Sequence, residues 1–397
     1  MRQIEIAGVK ETVYERSDFP PDKLKAILGR ETVGVIGYGR QGHAQALNLR
    51  DNGVRVLVCE IPGPNYDRAV QDGFRPGETL FQQIPEAVRR ATVVMYLLTD
   101  AGQKANWGLV GPNLKEGAAL YFSHGFSIVY RDQTGVVPPP NVDVILVAPK
   151  GSGNTVRRLF LEGRGINCSF AVHQDFTGRA RERCLALGIG VGCGFLFETT
   201  FQKEVFSDLV GERGVLMGAL YGIFRAQYEL LRAKGHSPAE AFNETVEEAT
   251  QSLYPQVGEN GMDWMYSNCS TTAQRGALNW YKRFEAAARP VFEELYEKVA
   301  TGVETRHVLE AHARPNYAEE LKGELAGIRN DEIWQIGAIV RELRPERQPA
   351  AANAAKPAPR AKPGRAAGRP KARRGAPKAR PAARRKVRAK RRPARRR

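Results

Sequence analysis

Six residues near the start of the chain, Gly37-Tyr38-Gly39-Arg40-Gln41-Gly42, limit its possible folds more than any other segment. They follow a short apolar run at 33–36 and open a helical stretch at 43–51, after which a second apolar run begins at 54. Glycines in this context permit a tight turn and let backbone N–H groups approach a pyrophosphate at the positive end of the helix. The pattern predicts a dinucleotide-binding turn, and the alternative is a glycine-rich turn with a purely structural role.

The rest of the sequence divides into two kinds of pattern. Further strand candidates lie at 92–98, 118–122 and 142–147, separated by polar or helical stretches, as in a doubly wound parallel sheet. After Gly194 the apolar residues recur at three-to-four spacing, which is typical of helices. We therefore predict a Rossmann-like α/β domain over residues 1–195 and an all-α domain over residues 196–345.

The formal net charge of +17 is concentrated at the C-terminal end. Residues 349–397 contain 20 Lys and Arg and no Asp or Glu, so the preceding residues carry a slight excess of acid. A segment this poor in large apolar residues cannot offset the entropy of ordering, and we predict a disordered basic tail over residues 346–397. Such a polycation is expected to bind nucleic acid non-specifically, and the alternative is a dispensable solvated extension.

Cysteine use and hydropathy bear on the compartment. The five cysteines have no paired spacing such as CxxC, which predicts reduced thiols. The first ten residues contain no apolar core of a signal peptide, and no run of 18 apolar residues occurs. We expect a cytoplasmic protein without a membrane span.

Glu60 stands at the end of the second predicted strand, 18 residues past Gly42. An acidic side chain at this place accepts hydrogen bonds from the adenosine ribose hydroxyls, which favours NAD over NADP. The alternative is an exposed carboxylate at a strand end.

Two pairs of carboxylates have a four-residue spacing in helical stretches, Asp208 with Glu212 and Glu244 with Glu248. Both members of each pair project from one helix face, where like charges repel unless a cation lies between them. Carboxylate oxygens are the ligands that Mg²⁺ prefers. The spacing is compatible with a magnesium site, although a solvated acidic helix face is the common explanation.

Several segments together resemble the ketol-acid reductoisomerase family, over roughly residues 32–309. They are residues 36–44 around the glycine turn, FSHGF at 122–126, APKG at 148–151, ETTF at 198–201, FSDLVGER at 206–213 and NCSTTA at 268–273. The resemblance implies a Mg²⁺-dependent alkyl migration in 2-acetolactate or 2-aceto-2-hydroxybutyrate, followed by hydride reduction to a 2,3-dihydroxy acid. This chemistry serves the synthesis of valine, isoleucine and leucine.

The same resemblance implies roles for individual residues. Asp208 would bridge two Mg²⁺ ions and Glu212 would bind one, while Glu244 and Glu248 would complete the second metal site. Ser270 would hydrogen-bond the substrate carboxylate, and His124 and Lys150 would lie near the reacting oxygens and the nicotinamide. From the residues alone, His124 could equally be a loop histidine, Lys150 a solvated lysine and Ser270 a helix cap.

The cofactor follows from the resemblance and is modified by the local sequence. The expected cofactor contacts are the six turn residues with Glu60, Asp100, Gln103 and Gly153. The family default is NADPH, held by an Arg and Ser residues after the second strand, but residues 59–66 contain neither. Glu60 would repel a 2′-phosphate, whereas Arg40 could supply a replacement cation. NADPH and NADH both remain possible.

In the short form of the family, which this chain matches in length, helices of two subunits interlock in a knotted domain. Residues 232–237 and 268–273 look closest to the plant-like branch. The resemblance thus implies a homodimer or larger oligomer, with Glu244, Glu248 and Ser270 coming from the partner chain. Two other functions remain open: another Rossmann-plus-helical hydroxy-acid dehydrogenase that needs no metal, and a DNA-associated homologue without catalytic activity.

Overall fold

A computed structural model describes residues 1–347, so the predicted tail lies outside the described residues from residue 348 on. Residues Met1–Arg341 cluster as one unit. The strands are β1 Arg2–Ile6, β2 Val9–Glu15, β3 Thr32–Ile36, β4 Arg55–Cys59, β5 Leu80–Phe81, β6 Val93–Tyr96, β7 Ala119–Phe122, β8 Asp143–Pro149, β9 Ile166–Gln174 and β10 Cys193–Glu198.

All ten strands form one sheet, in the order β1-β2-β10-β9-β8-β7-β6-β3-β4-β5. The strands from β8 to β5 run parallel, as the sequence predicts. A mixed extension made of β9, β10 and the hairpin β1–β2 is added at one side and was not predicted: β9 runs antiparallel to β8, β10 runs parallel to β9, and the hairpin pairs antiparallel with β10 through β2. The strand order reverses between β3 and β6, and in open α/β sheets ligands bind in the crevice at such a switch point.

Helices cover both faces of the sheet. They are α1 Pro21–Leu28, α2 Arg40–Asp51, α3 Pro64–Gln71, α4 Ile84–Arg90, α5 Asp100–Val110, α6 Phe126–Val129, α7 Arg131–Thr134, α8 Gly153–Leu161 and α9 Ala180–Gly190. Successive residues of β3 are buried without exception, because each face of this central strand packs against a separate apolar core. The Rossmann-like prediction is confirmed.

The second half is helical, as predicted. Its helices are α10 Phe201–Gly211, α11 Gly218–Ala233, α12 Pro238–Phe242, α13 Tyr254–Asn260, α14 Met262–Ser267, α15 Thr271–Ala300, α16 Val303–Ala313, α17 Tyr317–Asn330 and α18 Glu332–Glu342. Three segments adopt wider π-helical turns, Glu212–Leu216, Asn243–Glu247 and Ala249–Leu253. Two small cores hold this half together, one around Phe242 and one that joins α10 to Phe126 and Tyr130.

A buried cluster of charged side chains lies at the amino ends of the parallel strands, on the side of the sheet opposite the crevice. Arg183 of α9, whose side chain is only 4% exposed, lies 3.0 Å from Asp143 and 3.1 Å from Glu31. Its guanidinium also donates to the carbonyl oxygens of Gly117 and Thr92. A buried charge is tolerated where partners satisfy it in this way, so the cluster fixes α9 against the starts of the neighbouring strands.

One cysteine expectation is wrong. Cys168 on β9 and Cys193 on β10 form a disulfide bond, whereas Cys59, Cys184 and Cys269 are free. The pairing depends on β9 and β10 lying side by side, which the 25-residue separation in sequence does not reveal.

The hydropathy of the sequence predicts that no segment crosses a membrane. Among the helices of residues 1–347, none combines the length and the apolar character that a span requires.

Candidate active site

A cleft of about 950 Å³ opens at the carboxyl ends of β6, β7 and β8. The strand ends and α5 form one wall, and α10, the Glu212–Leu216 turn and α16 form the other. Its acidic and basic lining residues are Asp100, His124, Lys150, Glu204, Asp208, Glu212 and His312. The cleft therefore lies where the two halves of the chain meet and is rich in carboxylates.

Glu204 connects two of the residues singled out from the sequence. Lys150 Nζ donates to Glu204 Oε1 at 3.0 Å, and His124 Nδ1 lies 3.3 Å from Glu204 Oε2. The Glu204 side chain is 1% exposed, so these two cations are what makes its charge tolerable. Burial alone would raise the pKa of Glu204, but His124 and Lys150 hold it below its ordinary value.

The same contacts set the charge of His124. Burial alone would lower its pKa, but the hydrogen bond and charge of Glu204, with the charges of Asp100 and Asp208, raise the pKa of His124 to about 9. The ring is therefore protonated at neutral pH, where it can donate a hydrogen bond or a proton into the cleft.

Asp208 and Glu212 continue the line of carboxylates along α10 at the same four-residue spacing. Asp208 lies 3.4 Å from His124 Nδ1 and 4.0 Å from Lys150 Nζ. Burial and the charge of Asp208 raise the pKa of Glu212, and burial raises the pKa of Asp100. This end of the cleft concentrates negative charge that is costly without a cation.

The donor set fits a hard divalent cation. Ligand atoms of His124, Glu204 and Asp208 lie within 4.8 Å of one another. Glu204 Oε2 and His124 Nδ1 are buried, and apart from the ion-pair contacts of His124 Nδ1 with Glu204 and Asp208 neither atom has a hydrogen-bond partner in the described residues. Because protonated His124 cannot act as a ligand, the carboxylates of Asp208 and Glu212 beside it are the oxygen donors that suit Mg²⁺.

The glycine turn lies at the other end of the cleft. Gly37 has a positive φ of 100°, and a side chain at Gly42 would collide with the carbonyl oxygen of Gly37. A side chain at Gly153 would collide with the carbonyl of Arg40, so the N-termini of α2 and α8 approach the same point. Two helix N-termini that converge on a glycine turn suit a pyrophosphate. Gly39 faces open space, and Arg40 is exposed.

The other expected cofactor contacts differ in what their side chains reach. The Tyr38 side chain is buried and its O–H donates to Asp72, so only its backbone faces the turn. Glu60 accepts from Tyr38 N at 2.7 Å and from Ile61 N at 2.9 Å. Gln103 donates to the carbonyls of Tyr96 and Leu98 and so holds the end of β6. Asp100 and Gln41 line the cleft.

Three residues expected at the site lie away from it in this chain. Glu244 and Glu248 are exposed, and neither lines the cleft. Ser270 is exposed and caps α15 by accepting from Ala273 N. One chain thus gathers His124, Lys150, Asp208 and Glu212 but not the other three.

The sequence reasoning missed Glu204. The available signal was its spacing, because Glu204 stands four residues before Asp208 and extends the carboxylate pair into a row of three. Its bridging role depends on His124 and Lys150. Both precede Glu204 by many residues, and only the fold of the sheet brings them close to it.

Comparison with known proteins agrees with this geometry. Residues 27–195 match the acetohydroxy acid isomeroreductase, NADPH-binding domain, and residues 201–346 match the ketol-acid reductoisomerase C-terminal domain. The chain is 60% identical over 347 residues to ketol-acid reductoisomerase (NAD(+)) of Desulfosudis oleivorans, covering 87% of this chain and 98% of the relative. It is 54% identical to the mitochondrial enzyme of Saccharomyces cerevisiae, with 88% of each chain covered.

A solved structure leads to the same family. The NADH-preferring ketol-acid reductoisomerase from an uncultured archean superposes with a TM-score of 0.77 at 31% identity, covering 84% of this chain and 99% of that one. Both halves of the chain are therefore matched by one family. The chain belongs to the ketol-acid reductoisomerase family.

Proposed function

We propose that this NAD(P)-dependent enzyme converts 2-acetolactate and 2-aceto-2-hydroxybutyrate into 2,3-dihydroxy acids, in the synthesis of valine, isoleucine and leucine. An alkyl group first migrates to the neighbouring ketone carbon, and a hydride then reduces the new ketone. The observation that carries the proposal is the Glu204 carboxylate, which holds Lys150 and His124 beside Asp208 and Glu212 in a cleft that ends at the glycine turn.

Different residues of the cleft would serve different steps of this reaction. In the migration, the 2-hydroxyl loses a proton as it becomes a ketone, and the former ketone oxygen gains one. Protonated His124 and Lys150 are suited to stabilise negative charge on these oxygens and to return a proton after hydride transfer. Glu204 fixes the position of both cations, so neither needs to reorganise during the reaction.

Magnesium would be held by Asp208 and Glu212, with Glu244 and Glu248 of a second chain completing the site. When bound, two Mg²⁺ ions would polarise the hydroxyl and ketone oxygens of the substrate. Because Asp208 near the end of α10 and Glu212 at the start of the Glu212–Leu216 turn are one helical turn apart, they are suited to hold such a cation against their mutual repulsion.

The exposed face of α15 supports a homodimer. This helix has 30 residues, of which only Val299 is buried. Large apolar residues on it are exposed: Leu278, Trp280, Tyr281, Phe284, Val291 and Tyr296. A groove of about 820 Å³ runs beside it, lined in part by Val210 and Phe292. We assign this face to a second copy of the chain, which would also bring Glu244, Glu248 and Ser270 to the cleft.

For the cofactor we propose NADH. Glu60 is anchored by two backbone N–H groups at the end of β4, where it can accept from ribose hydroxyls and would repel a 2′-phosphate. The relative from Desulfosudis oleivorans is named for NAD(+), and the archean structure is described as NADH-preferring. A more distant relative from Pyrobaculum calidifontis, 37% identical, is named for NADP(+).

The basic tail is a separate proposal that rests on composition alone. Its Lys and Arg clusters suit non-specific, salt-dependent binding of nucleic acid. Retention on DNA should fall when the chain is ended at Arg344, across a salt series. Equal retention of both forms would rule out binding through the tail.

An assay with 2-acetolactate tests the proposed function. Oxidation of NADH and of NADPH is followed in the presence of Mg²⁺ and again after chelation, and the product is identified. We expect turnover only with Mg²⁺, and loss of turnover in Asp208→Asn. Turnover of a hydroxy acid without metal would favour a different dehydrogenase, and no turnover with any cofactor would favour a non-catalytic homologue.

A further inference from the structure

A chain of side-chain hydrogen bonds runs from the interior of the sheet to the cleft. The Tyr121 hydroxyl lies 2.8 Å from Gln45 Oε1, and Gln45 Nε2 lies 3.0 Å from Gln41 Oε1 and 2.8 Å from Ser123 Oγ. Gln41 Nε2 lies 3.0 Å from the carbonyl oxygen of Gly151. Tyr121 and Gln45 are fully buried, so this geometry is held by the core on all sides.

The direction of the chain follows from its last member. The carbonyl oxygen of Gly151 can only accept, so Gln41 must turn its NH₂ group toward it. Gln41 then presents its oxygen to Gln45, which must answer with its own NH₂ group. The two hydrogens of that group serve Gln41 and Ser123, and the remaining oxygen of Gln45 accepts from the Tyr121 hydroxyl.

With donors and acceptors assigned in this way, Gln45 and Gln41 offer no acceptor for the hydrogen of the Ser123 hydroxyl. Its oxygen accepts from Gln45, and within residues 1–347 its hydroxyl also interacts with the oxygen of Tyr121. Ser123 lines the cleft and directly precedes His124. Tyr121 is therefore the acceptor that competes with a ligand for the serine hydrogen: burial raises the pKa of Tyr121, and its hydrogen bond with Ser123 lowers it by less.

The order of the strands indicates which ligand group would meet this hydrogen. A pyrophosphate at the turn after β3 places the adenosine toward β4, where Glu60 stands, and the nicotinamide toward β6 and β7. Ser123 follows the last residue of β7. It is therefore on the nicotinamide side of the cleft, where the carboxamide oxygen of the nicotinamide is a hydrogen-bond acceptor.

We propose that the Ser123 hydroxyl donates a hydrogen bond to the carboxamide oxygen of the nicotinamide, and that Gln45 is the positioning residue that directs it there. Gln45 acts by occupying the Ser123 oxygen as an acceptor, so that the serine hydrogen points into the cleft. Through Gln41 and Gly151 the same amide also ties the glycine turn to the residue next to Lys150.

The test compares a ligand that contains nicotinamide with one that does not. The affinity of Ser123→Ala for NADH and for ADP-ribose, which lacks nicotinamide, is measured by calorimetry and compared with the wild type. We expect NADH affinity to fall about 2- to 10-fold, the range of one net hydrogen bond, with ADP-ribose affinity unchanged. Ser267→Ala, on the exposed face of α14, is the matched control and should change neither.

Gln45→Glu tests the positioning role. A carboxylate has no donor, so the Ser123 hydroxyl would turn toward it and away from the cleft. We expect the same selective loss of NADH affinity, and no additional loss in the double variant with Ser123→Ala. Gln45→Met, which also lacks donors, replaces Gln45→Glu if the buried charge prevents folding, and unchanged ADP-ribose affinity reports that the turn is intact.

Three results would overturn the proposal. Unchanged NADH affinity in Ser123→Ala would show that the serine hydrogen goes to Tyr121. Equal losses for NADH and ADP-ribose would show a general disturbance of the turn. A raised KM for 2-acetolactate with unchanged NADH affinity would place the hydrogen bond on the substrate.

Discussion

The carboxylate of Glu204 joins Lys150 to His124: one of its oxygens lies 3.0 Å from Lys150 Nζ and the other 3.3 Å from His124 Nδ1. The two cations come from the ends of different strands, and the carboxylate comes from the first helix of the second half. The contact between the two halves of the chain is therefore also the contact that sets the charge of the cleft.

Glu204→Gln should lower kcat by about 100-fold or more, the usual effect of losing a positioned acid or base. The amide is similar in size but removes the charge that keeps His124 protonated. In the metal-free protein, NMR titration should show the His124 pKa falling from about 9 toward its ordinary value. An unchanged His124 titration in the variant would contradict the role given to Glu204.

The same pair predicts a pH dependence of stability. The folded protein binds the His124 proton more tightly than the unfolded chain does, with a pKa of about 9 against 6.5. The resulting stabilisation is complete below pH 6.5 and is lost as the pH rises through about 9. The difference in free energy of unfolding between the wild type and Glu204→Gln should shrink over this interval. A constant difference would indicate that His124 is neutral in the folded protein.

Glu60→Gln should shift the cofactor preference toward NADPH by about 10-fold in kcat/KM, since a repulsion with the 2′-phosphate is removed. The amide oxygen can still accept from Tyr38 N and only the contact with Ile61 N is lost, so the turn should largely keep its shape. Affinity for ADP-ribose, measured in parallel, is the control for that shape. An unaltered ratio of NADPH to NADH would show that Glu60 does not face the ribose.

Arg183→Leu should lower the free energy of unfolding by about 3–5 kcal/mol, because Asp143 and Glu31 would remain buried without their partner. Arg179→Leu, just before the same helix, removes only an exposed pair with Glu182 and should cost less than about 1 kcal/mol. Urea unfolding at fixed protein concentration measures both. Similar values for the two variants would mean that the buried cluster contributes no more than a surface pair.

The predictable parts of the fold are those with a strong local signal. The glycine turn and the buried strands on either side of it could be identified because each is read within a short window of sequence. The hairpin β1–β2 could not, since its strands are short, charged and mostly exposed, and it joins the sheet only because β2 pairs with β10. The disulfide between Cys168 and Cys193 could not be predicted either, because it requires β9 and β10 to lie side by side.

The candidate site was predictable to a similar degree. His124, Lys150, Asp208 and Glu212 were singled out from motifs, and the structure brings them to one cleft. The bridging carboxylate of Glu204 and the amide of Gln45 were missed, because each acts through partners that are distant in sequence. Glu244, Glu248 and Ser270 remain predictions, since one chain does not place them at the cleft.

The most direct test of a metal site shared between two chains is a mixed dimer of Asp208→Asn and Glu248→Gln subunits. Each variant alone should be inactive with 2-acetolactate, Mg²⁺ and NADH. Random mixing makes about half of the dimers mixed. In a mixed dimer one of the two sites carries both substitutions and the other carries neither, so about a quarter of wild-type activity should return. Mixed preparations as inactive as the separate variants, at the same protein concentration, would contradict the shared site.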